Sequence, residues 1–293
     1  MTRAHKSIVF LALAFAISWA IAIGGFYSGL HETLGTTIVL GSMMAGPAIA
    51  AAICVALFER GRRVEALGLK PRASWWWLWA WLAPILLALI SVAVTLMFSD
   101  RTYVDLGANI IATVEAQAPE QAAQLRAIPY LGFIQIAAAI TLGALLNTPI
   151  LTLTEELGWR GYLHDLWRPA GFWRASLATG AVWGLWHAPA IYLYGLNYPE
   201  NRELGIGLFV IFCVMLSPML TLIRDRSGTV WAAGLFHGTF NALGAITVLV
   251  LSDPSFPWNG IVGIGGFVAL AMGLAATALL VGRPALASPP PGA

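Results

Sequence analysis

Three groups of ionisable residues lie within segments whose length and apolarity are otherwise typical of membrane-spanning helices. They are EELGWR at residues 155–160, WGLWH at 183–187 and HGTFN at 237–241. Burying a charged or strongly polar side chain at bilayer depth costs at least about 2.5 kcal/mol, so such residues are usually functional. Two carboxylates, two imidazoles, an amide and a guanidinium on neighbouring spans suit a catalytic or a metal-binding site.

The paired glutamates of the first group could divide two tasks between them. Neighbouring residues on an α-helix point in directions about 100° apart, so Glu155 and Glu156 face different surroundings. Glu156 and Arg160 are four residues apart and can pair along one face. Glu155 could then point into a cavity and act as a general base. Taken alone, the pair could equally cap the helix at the water interface.

Each histidine has a companion one helical turn away. Trp183 precedes His187 by four residues and is expected to share its face, while Pro189 is expected to kink the helix just beyond. His237 and Asn241 are also four residues apart, so an imidazole and an amide project together. Such a pair can bind an anion, a carbonyl oxygen or a metal. A lone histidine on an apolar face is more often a hydrogen-bonded core residue, but in lipid it still needs a partner.

The composition indicates a polytopic helical membrane protein. Of the 293 residues, 59% are hydrophobic and only 10% are charged, whereas an ordinary soluble domain carries roughly 25% charged residues. The apolar runs are continuous over about 20 residues, which favours helices over the alternating strands of a barrel. Cys54 and Cys213 each lie in an apolar run, so neither a disulfide framework nor a cysteine-based metal site is expected.

Eight transmembrane helices are predicted, at residues 8–26, 36–57, 75–97, 130–152, 175–196, 205–223, 230–251 and 260–281. The expected fold class is all-α, a single transmembrane domain over residues 1–287 with a disordered tail at 288–293. The fourth span is expected to continue as helix through Glu155 and Arg160. The first span is expected to be retained, because its apolar stretch exceeds the roughly 7–15 residues of a signal peptide.

The basic residues are distributed unevenly between the two ends of the predicted spans. Thirteen of the 16 lysines and arginines fall on the side of the N-terminus, and the other three are Arg101, Arg126 and Arg202. Because positive charge near span ends stays in the cytoplasm, both termini are expected there. The protein is therefore expected to be a multi-pass cell-membrane protein, and its short loops favour a bacterial inner membrane. All three motifs are then expected toward the cytoplasmic half.

Taken together, the three motifs resemble the CPBP family, which contains type II CAAX prenyl endopeptidases and bacteriocin-processing or immunity proteins and is also called the Abi family. The shared pattern is Glu-Glu-x-x-x-Arg, aromatic-x-x-x-His and His-x-x-x-Asn in that order, within a core at about 130–251. Trp183 stands where phenylalanine is usual, a departure expected to touch nothing chemical. The resemblance implies an eight-helix bundle with a conical cavity open to the cytoplasm and the membrane.

The resemblance also implies roles for the motif residues. Glu155 and His187 would activate a water, and His237 and Asn241 would hold the carbonyl oxygen as it becomes an oxyanion. Peptide hydrolysis needs such a base and such donors.

Three further residues are expected to support this group. Glu156 and Arg160 would stabilise the helix end and could meet the substrate carboxylate. Trp183 would support His187 from one turn away.

The sequence leaves open whether the site uses a metal. Glu155, His187 and His237 could bind one divalent cation such as zinc, with an open position for water. The same residues could serve a metal-free glutamate mechanism, and the chain contains no His-Glu-x-x-His motif.

The leading hypothesis is an intramembrane endopeptidase that cleaves membrane-anchored or prenylated, CAAX-type substrates near the cytoplasmic face. Its expected partners are the bilayer and a peptide or lipidated protein, without nucleic acid; the oligomeric state is not predicted. One alternative is a non-proteolytic membrane partner or immunity protein whose polar cluster stabilises the fold. A less favoured one is a proton-coupled transporter with Glu155, His187 and His237 as relay, although no inverted repeat is evident.

Overall fold

The computed structural model describes residues 1–282, and this part of the chain is an all-α bundle. The predicted tail at 288–293 and Arg283, which contributes to the charge asymmetry, lie outside the described residues. Within them, seven segments are long and apolar enough to cross a membrane: Arg3–Tyr27, Thr33–Phe58, Trp76–Phe98, Leu131–Ala170, Arg202–Ser227, Val230–Leu249 and Ile264–Val281. The prediction of a polytopic membrane helix bundle is confirmed.

The helices are numbered along the chain. They are α1 (Arg3–Tyr27), α2 (Thr33–Met43), α3 (Gly46–Phe58), α4 (Trp76–Phe98), α5 (Leu131–Ala170), α6 (Phe172–Trp186), α7 (Ala188–Tyr194), α8 (Arg202–Ser227), α9 (Val230–Leu249) and α10 (Ile264–Val281). Shorter helices at Arg63–Leu67, Leu106–Glu115 and Pro119–Arg126 lie in the connections.

The predicted fifth span is not one helix but two, α6 and α7, which meet at His187. The main-chain N–H of His187 donates to Gly184 O at 3.1 Å, three residues back rather than four. Pro189 follows as the second residue of α7, where its missing N–H costs no intrahelical bond. The break explains why seven continuous spans are found where eight were predicted, and it places His187 at a helix end.

Helix α5 departs from α-helical geometry where it carries the first motif. Residues Thr152–Leu163 form a π-helix, and this form often occurs at functional sites. Just before and within it, the hydroxyls of Thr148, Thr152 and Thr154 each donate to the carbonyl four residues back, at 2.6–2.7 Å. Such bonds compete with the helical ladder and bend helices. The helix continues through Glu155 and Arg160, as expected, and ends only at Ala170.

Two glycines of α9 allow it to lie directly against α5. A Cβ on Gly234 would lie 1.8 Å from Thr152 Oγ1, and a Cβ on Gly238 would lie 2.9 Å from the main-chain nitrogen of Thr148. The contact brings the helix that carries His237 against the helix that carries the glutamates. Glycine at these two positions therefore permits the close approach of the two helices.

Replacing Gly238 with alanine is expected to destabilise the bundle, because the new methyl group meets main chain that cannot move aside. Overpacking of this kind typically costs about 1–3 kcal/mol. Gly207→Ala on α8 is the matched control, since no atom lies within 4 Å of the added Cβ. Thermal unfolding in detergent should show a lower midpoint for Gly238→Ala alone; equal midpoints for both variants would contradict this packing.

The connections lie on two faces of the bundle. The N-terminal face carries the N-terminus and residues 59–75 and 228–229, and the opposite face carries residues 99–130, 195–201 and 250–263. On the opposite face two connections are joined through main-chain bonds, from Val104 N to Val250 O at 2.9 Å and from Ser252 N to Thr102 O at 3.0 Å.

The charge asymmetry predicts that the N-terminal face lies in the cytoplasm. Single cysteines at the exposed positions Arg60 and Glu120, on the N-terminal and opposite faces, test this. A membrane-impermeant maleimide should label Glu120→Cys in intact spheroplasts and Arg60→Cys only after lysis. Wild type supplies the background because Cys54 and Cys213 are buried. The reverse labelling pattern would place the N-terminus outside.

Candidate active site

A buried ion pair joins the first motif to the third. Glu156 Oε1 accepts a hydrogen bond from Arg160 Nη1 at 3.0 Å and another from His237 Nδ1 at 2.8 Å. Glu156 is 0% exposed and Arg160 1%, so neither charge is compensated by water. A buried carboxylate without a partner would be costly, and the guanidinium supplies that partner. The predicted pairing of Glu156 with Arg160 is thus present, and it also positions His237.

The bond from His237 fixes which ring nitrogen is available for chemistry. A carboxylate can only accept, so Nδ1 carries the proton that is shared with Glu156. Nε2 is the remaining nitrogen of His237, whose side chain lines a cavity in the bundle. A carboxylate that orients the distal ring nitrogen of a histidine in this way is a common supporting arrangement in catalytic sites.

The indole of Trp183 holds the other glutamate. Its Nε1 donates to Glu155 Oε2 at 2.8 Å, between two side chains that are both buried. The guanidinium of Arg160 lies over the same indole, 4.5 Å from the ring centroid. The expectation that tryptophan in place of phenylalanine touches nothing chemical is therefore wrong, because the added N–H contacts the proposed catalytic carboxylate.

His187 is held by the break between α6 and α7. Its Nδ1 lies 2.9 Å from Trp183 O, a carbonyl that can only accept, so Nδ1 carries the proton and Nε2 is left without one in the neutral ring. The imidazole lies between Trp186 and Phe209, with ring centroids 4.6 and 4.8 Å away. These contacts fix the ring plane, and Nε2 is the position from which His187 can accept a proton or a hydrogen bond.

All four predicted catalytic residues line one cavity of about 450 Å³: Glu155, His187, His237 and Asn241. Asn241 lies one turn after His237 on α9, and its side chain is exposed on the cavity wall. Much of the remaining wall is aromatic or aliphatic, with Trp183, Phe209, Phe212, Leu216 and Phe240 among the contributors. The arrangement combines a few polar groups with an extensive apolar surface, as substrate pockets do.

The cavity extends toward the opposite face of the bundle. Its lining includes Asn197, Asn259 and Ile261, which belong to the connections on that face. Glu155 is not at the end of its helix, because α5 continues for fifteen residues beyond it to Ala170. This stretch of helix lies on the N-terminal side of the site. The opening of the cavity on the cytoplasmic side stays a prediction, and its lining lies toward the face opposite the N-terminus.

Glu156 and Arg160 do not contribute to the cavity wall. Both are buried among protein atoms, and neither lines the cavity. Contact between these residues and a substrate carboxylate, which the sequence left open, has no route in this structure. Their contacts are instead with His237 and Trp183.

The predicted metal ligands do not form a metal-binding group in the described residues. Within residues 1–282, no set of three or more His, Cys, Asp or Glu side chains is arranged to hold a metal ion. Glu155, His187 and His237 share the cavity, and one ligating atom of each is hydrogen-bonded within the protein. Glu155 Oε2 bonds Trp183 Nε1, His187 Nδ1 bonds Trp183 O, and His237 Nδ1 bonds Glu156 Oε1. These bonds leave one oxygen of Glu155 and Nε2 of each histidine without a protein partner among the described residues, which is also how metal-ligating side chains are usually supported.

Two amides of the cavity were not predicted from the sequence. Asn259 Nδ2 donates to Asn197 O at 3.1 Å, and these residues come from connections 62 positions apart. Asn197 has a left-handed backbone with φ of 64°. Asparagine adopts that conformation more readily than most residues, but this signals a turn rather than a cavity wall. Only the folded structure brings the two amides to the site.

Loss of the Glu156 carboxylate is expected to destabilise the protein strongly, because Arg160 would remain buried without its counter-ion. Breaking one partner of a buried pair typically costs about 3–5 kcal/mol. Glu65→Gln, in the exposed pair with Lys70 at 2.9 Å, is the control and should leave the unfolding midpoint unchanged. Denaturant unfolding of Glu156→Gln in detergent measures the effect; a midpoint equal to wild type would show that the pair carries no stability.

Comparison with known proteins identifies the segment that carries the site. Residues 135–243 match the family model described as type II CAAX prenyl endopeptidase Rce1-like. CAAX prenyl protease 2 of Methanococcus maripaludis is 32% identical over 93 residues, which are 30% of this chain and 34% of that protein. The chain thus spans about a third of the length of the curated relative it matches. Residues 135–243, which contain all three motifs, are thus similar to type II CAAX prenyl endopeptidases.

Proposed function

We propose that the protein is an intramembrane endopeptidase that hydrolyses a peptide bond in a membrane-anchored or prenylated, CAAX-type substrate. The observation that carries the proposal is the presence of Glu155, His187, His237 and Asn241 on one cavity. The family of the matched segment supports peptide hydrolysis, and the similar archaeal protein is named as a CAAX prenyl protease.

Glu155 and His187 are the groups that activate water in this proposal. Trp183 holds Glu155 Oε2, which leaves the other carboxylate oxygen to take a proton from water. His187 Nε2 is free to accept a hydrogen bond from the same water. As the water oxygen bonds to the substrate carbonyl carbon, its proton passes to Glu155 and the carbonyl π electrons move to oxygen.

His237 and Asn241 are the groups that stabilise the resulting oxyanion. The amide nitrogen of Asn241 is a donor in every state of the site. His237 Nε2 donates only when the ring carries protons on both nitrogens, with Nδ1–H on Glu156. The C–N bond then breaks as Glu155 returns its proton to the leaving amine. Preorganised donors at an oxyanion typically accelerate acyl transfer by about 10²–10³-fold each.

The apolar wall of the cavity supports a lipid-linked or membrane-embedded substrate. Phe209 stacks on Phe212 with ring centroids 5.3 Å apart, and Phe240 lies 5.9 Å from Phe212. These rings present a continuous apolar surface beside the four polar groups. A hydrophobic chain bound there would place an adjoining peptide bond near Glu155.

Cleavage of a quenched, farnesylated CAAX peptide by the purified protein tests the proposal. Wild type should cleave it, and Glu155→Gln and His187→Ala should each lower kcat by about 10²–10⁴-fold, because each removes a proton-handling group. Glu65→Gln is the control and should retain full activity, because Glu65 is exposed and does not line the cavity. An EDTA-treated sample decides whether a metal is required, which the sequence leaves open.

The same assay distinguishes lipidated from unmodified peptide substrates. A peptide of identical sequence without the farnesyl group should be cleaved poorly if the apolar wall binds the lipid. Folded wild-type protein that cleaves neither peptide would contradict the proposal for these substrates. It would favour the non-proteolytic partner or immunity protein.

A further inference from the structure

We infer that Trp183 is a positioning residue whose indole N–H orients Glu155 for water activation. The inference rests on the proposed function and adds a specific group to it. Trp183 is only 2% exposed, and its Nε1 lies 2.8 Å from Glu155 Oε2. A hydrogen bond to one carboxylate oxygen fixes the plane of the group, so the second oxygen has a defined direction relative to the cavity.

The indole is itself held on several sides and cannot follow Glu155 if that side chain moves. His237 packs edge-on against it at 5.2 Å between ring centroids, and His187 does so at 5.9 Å. Arg160 lies over the ring at 4.5 Å. The donor is thus packed on several sides, and packing of this kind positions a reacting group with the accuracy that catalysis needs.

Trp183 positions the second water-activating residue through its main chain. Its carbonyl oxygen accepts from His187 Nδ1 at 2.9 Å, at the residue where the helix breaks. One residue therefore fixes Glu155 through its side chain and His187 through its backbone. A phenylalanine, which is usual at this position in the resembled family, supplies the carbonyl and a ring but no N–H.

The donated bond is specific to Trp183 and does not follow from burial of an indole alone. Trp159 and Trp186 are buried to the same degree nearby. Their indole N–H groups find no acceptor among the described residues. At Trp183, by contrast, the acceptor is the carboxylate of the first motif. The difference makes Trp159→Phe a matched control, because it removes an N–H that bonds nothing and it lies outside the cavity lining.

The test measures steady-state cleavage of the farnesylated peptide by Trp183→Phe. Removal of the N–H should lower kcat about tenfold with little change in KM, because the loss affects orientation for the chemical step and not substrate binding. Trp159→Phe should keep the wild-type kcat. A second variant carries β-(3-benzothienyl)alanine at position 183, which retains the shape of tryptophan and replaces N–H by sulfur, and it should show the same loss as Trp183→Phe.

A double-variant comparison ties the effect to Glu155. In a Glu155→Gln background, Trp183→Phe should cause no further loss in residual activity, since the two groups act as a unit. Wild-type kcat in the benzothienyl variant would overturn the inference while leaving the proposed function intact. Additive losses in the double variant would also overturn it. Inactive wild-type protein would instead count against the proposed function itself.

Discussion

The buried carboxylate of Glu156 is the constraint on which the rest of the site depends. With no exposure to water, its charge must be balanced within the protein, and Arg160 and His237 supply the balance through one oxygen. The bond between Glu156 and His237 joins α5 to α9, and the two helices lie so close at Gly234 and Gly238 that a Cβ there would clash. It also fixes His237 in one ring orientation. Electrostatic compensation and helix packing therefore require the same arrangement, and the cavity forms beside it.

The two histidines lie on different helices, but their rings are oriented in the same way. Each is held through Nδ1 by an oxygen that can only accept: a carboxylate for His237 and a main-chain carbonyl for His187. Each is therefore left with Nε2 as its chemically available nitrogen. The main-chain version occurs at the break between α6 and α7, where the side chain of His187 donates to the carbonyl four residues back. Irregular backbone is thus part of the site, as expected where helices line a polar cavity in a membrane.

Local patterns in the sequence predicted the membrane bundle, the shared helix face of the residues within each motif and the pairing of Glu156 with Arg160, because these depend on composition and on spacing within one helix. The kink near Pro189 was also predictable, since proline interrupts the helical ladder. The bond between Glu156 and His237 spans 81 residues, and that between Trp183 and Glu155 spans 28. The spacing of residues within one helix cannot predict contacts between residues so far apart in the sequence. Hydropathy placed the end of the fourth apolar span at residue 152, and the helix was expected to run on through Arg160, whereas it continues to Ala170.

The length of α5 beyond Glu155 has a consequence for the form of any substrate. The turn from Glu155 to Tyr162 is buried throughout, so packed protein forms a floor beneath the polar groups of the cavity. A polypeptide therefore cannot reach Glu155 along α5 from the N-terminal face, and a scissile bond has to approach the carboxylate from another side of the cavity.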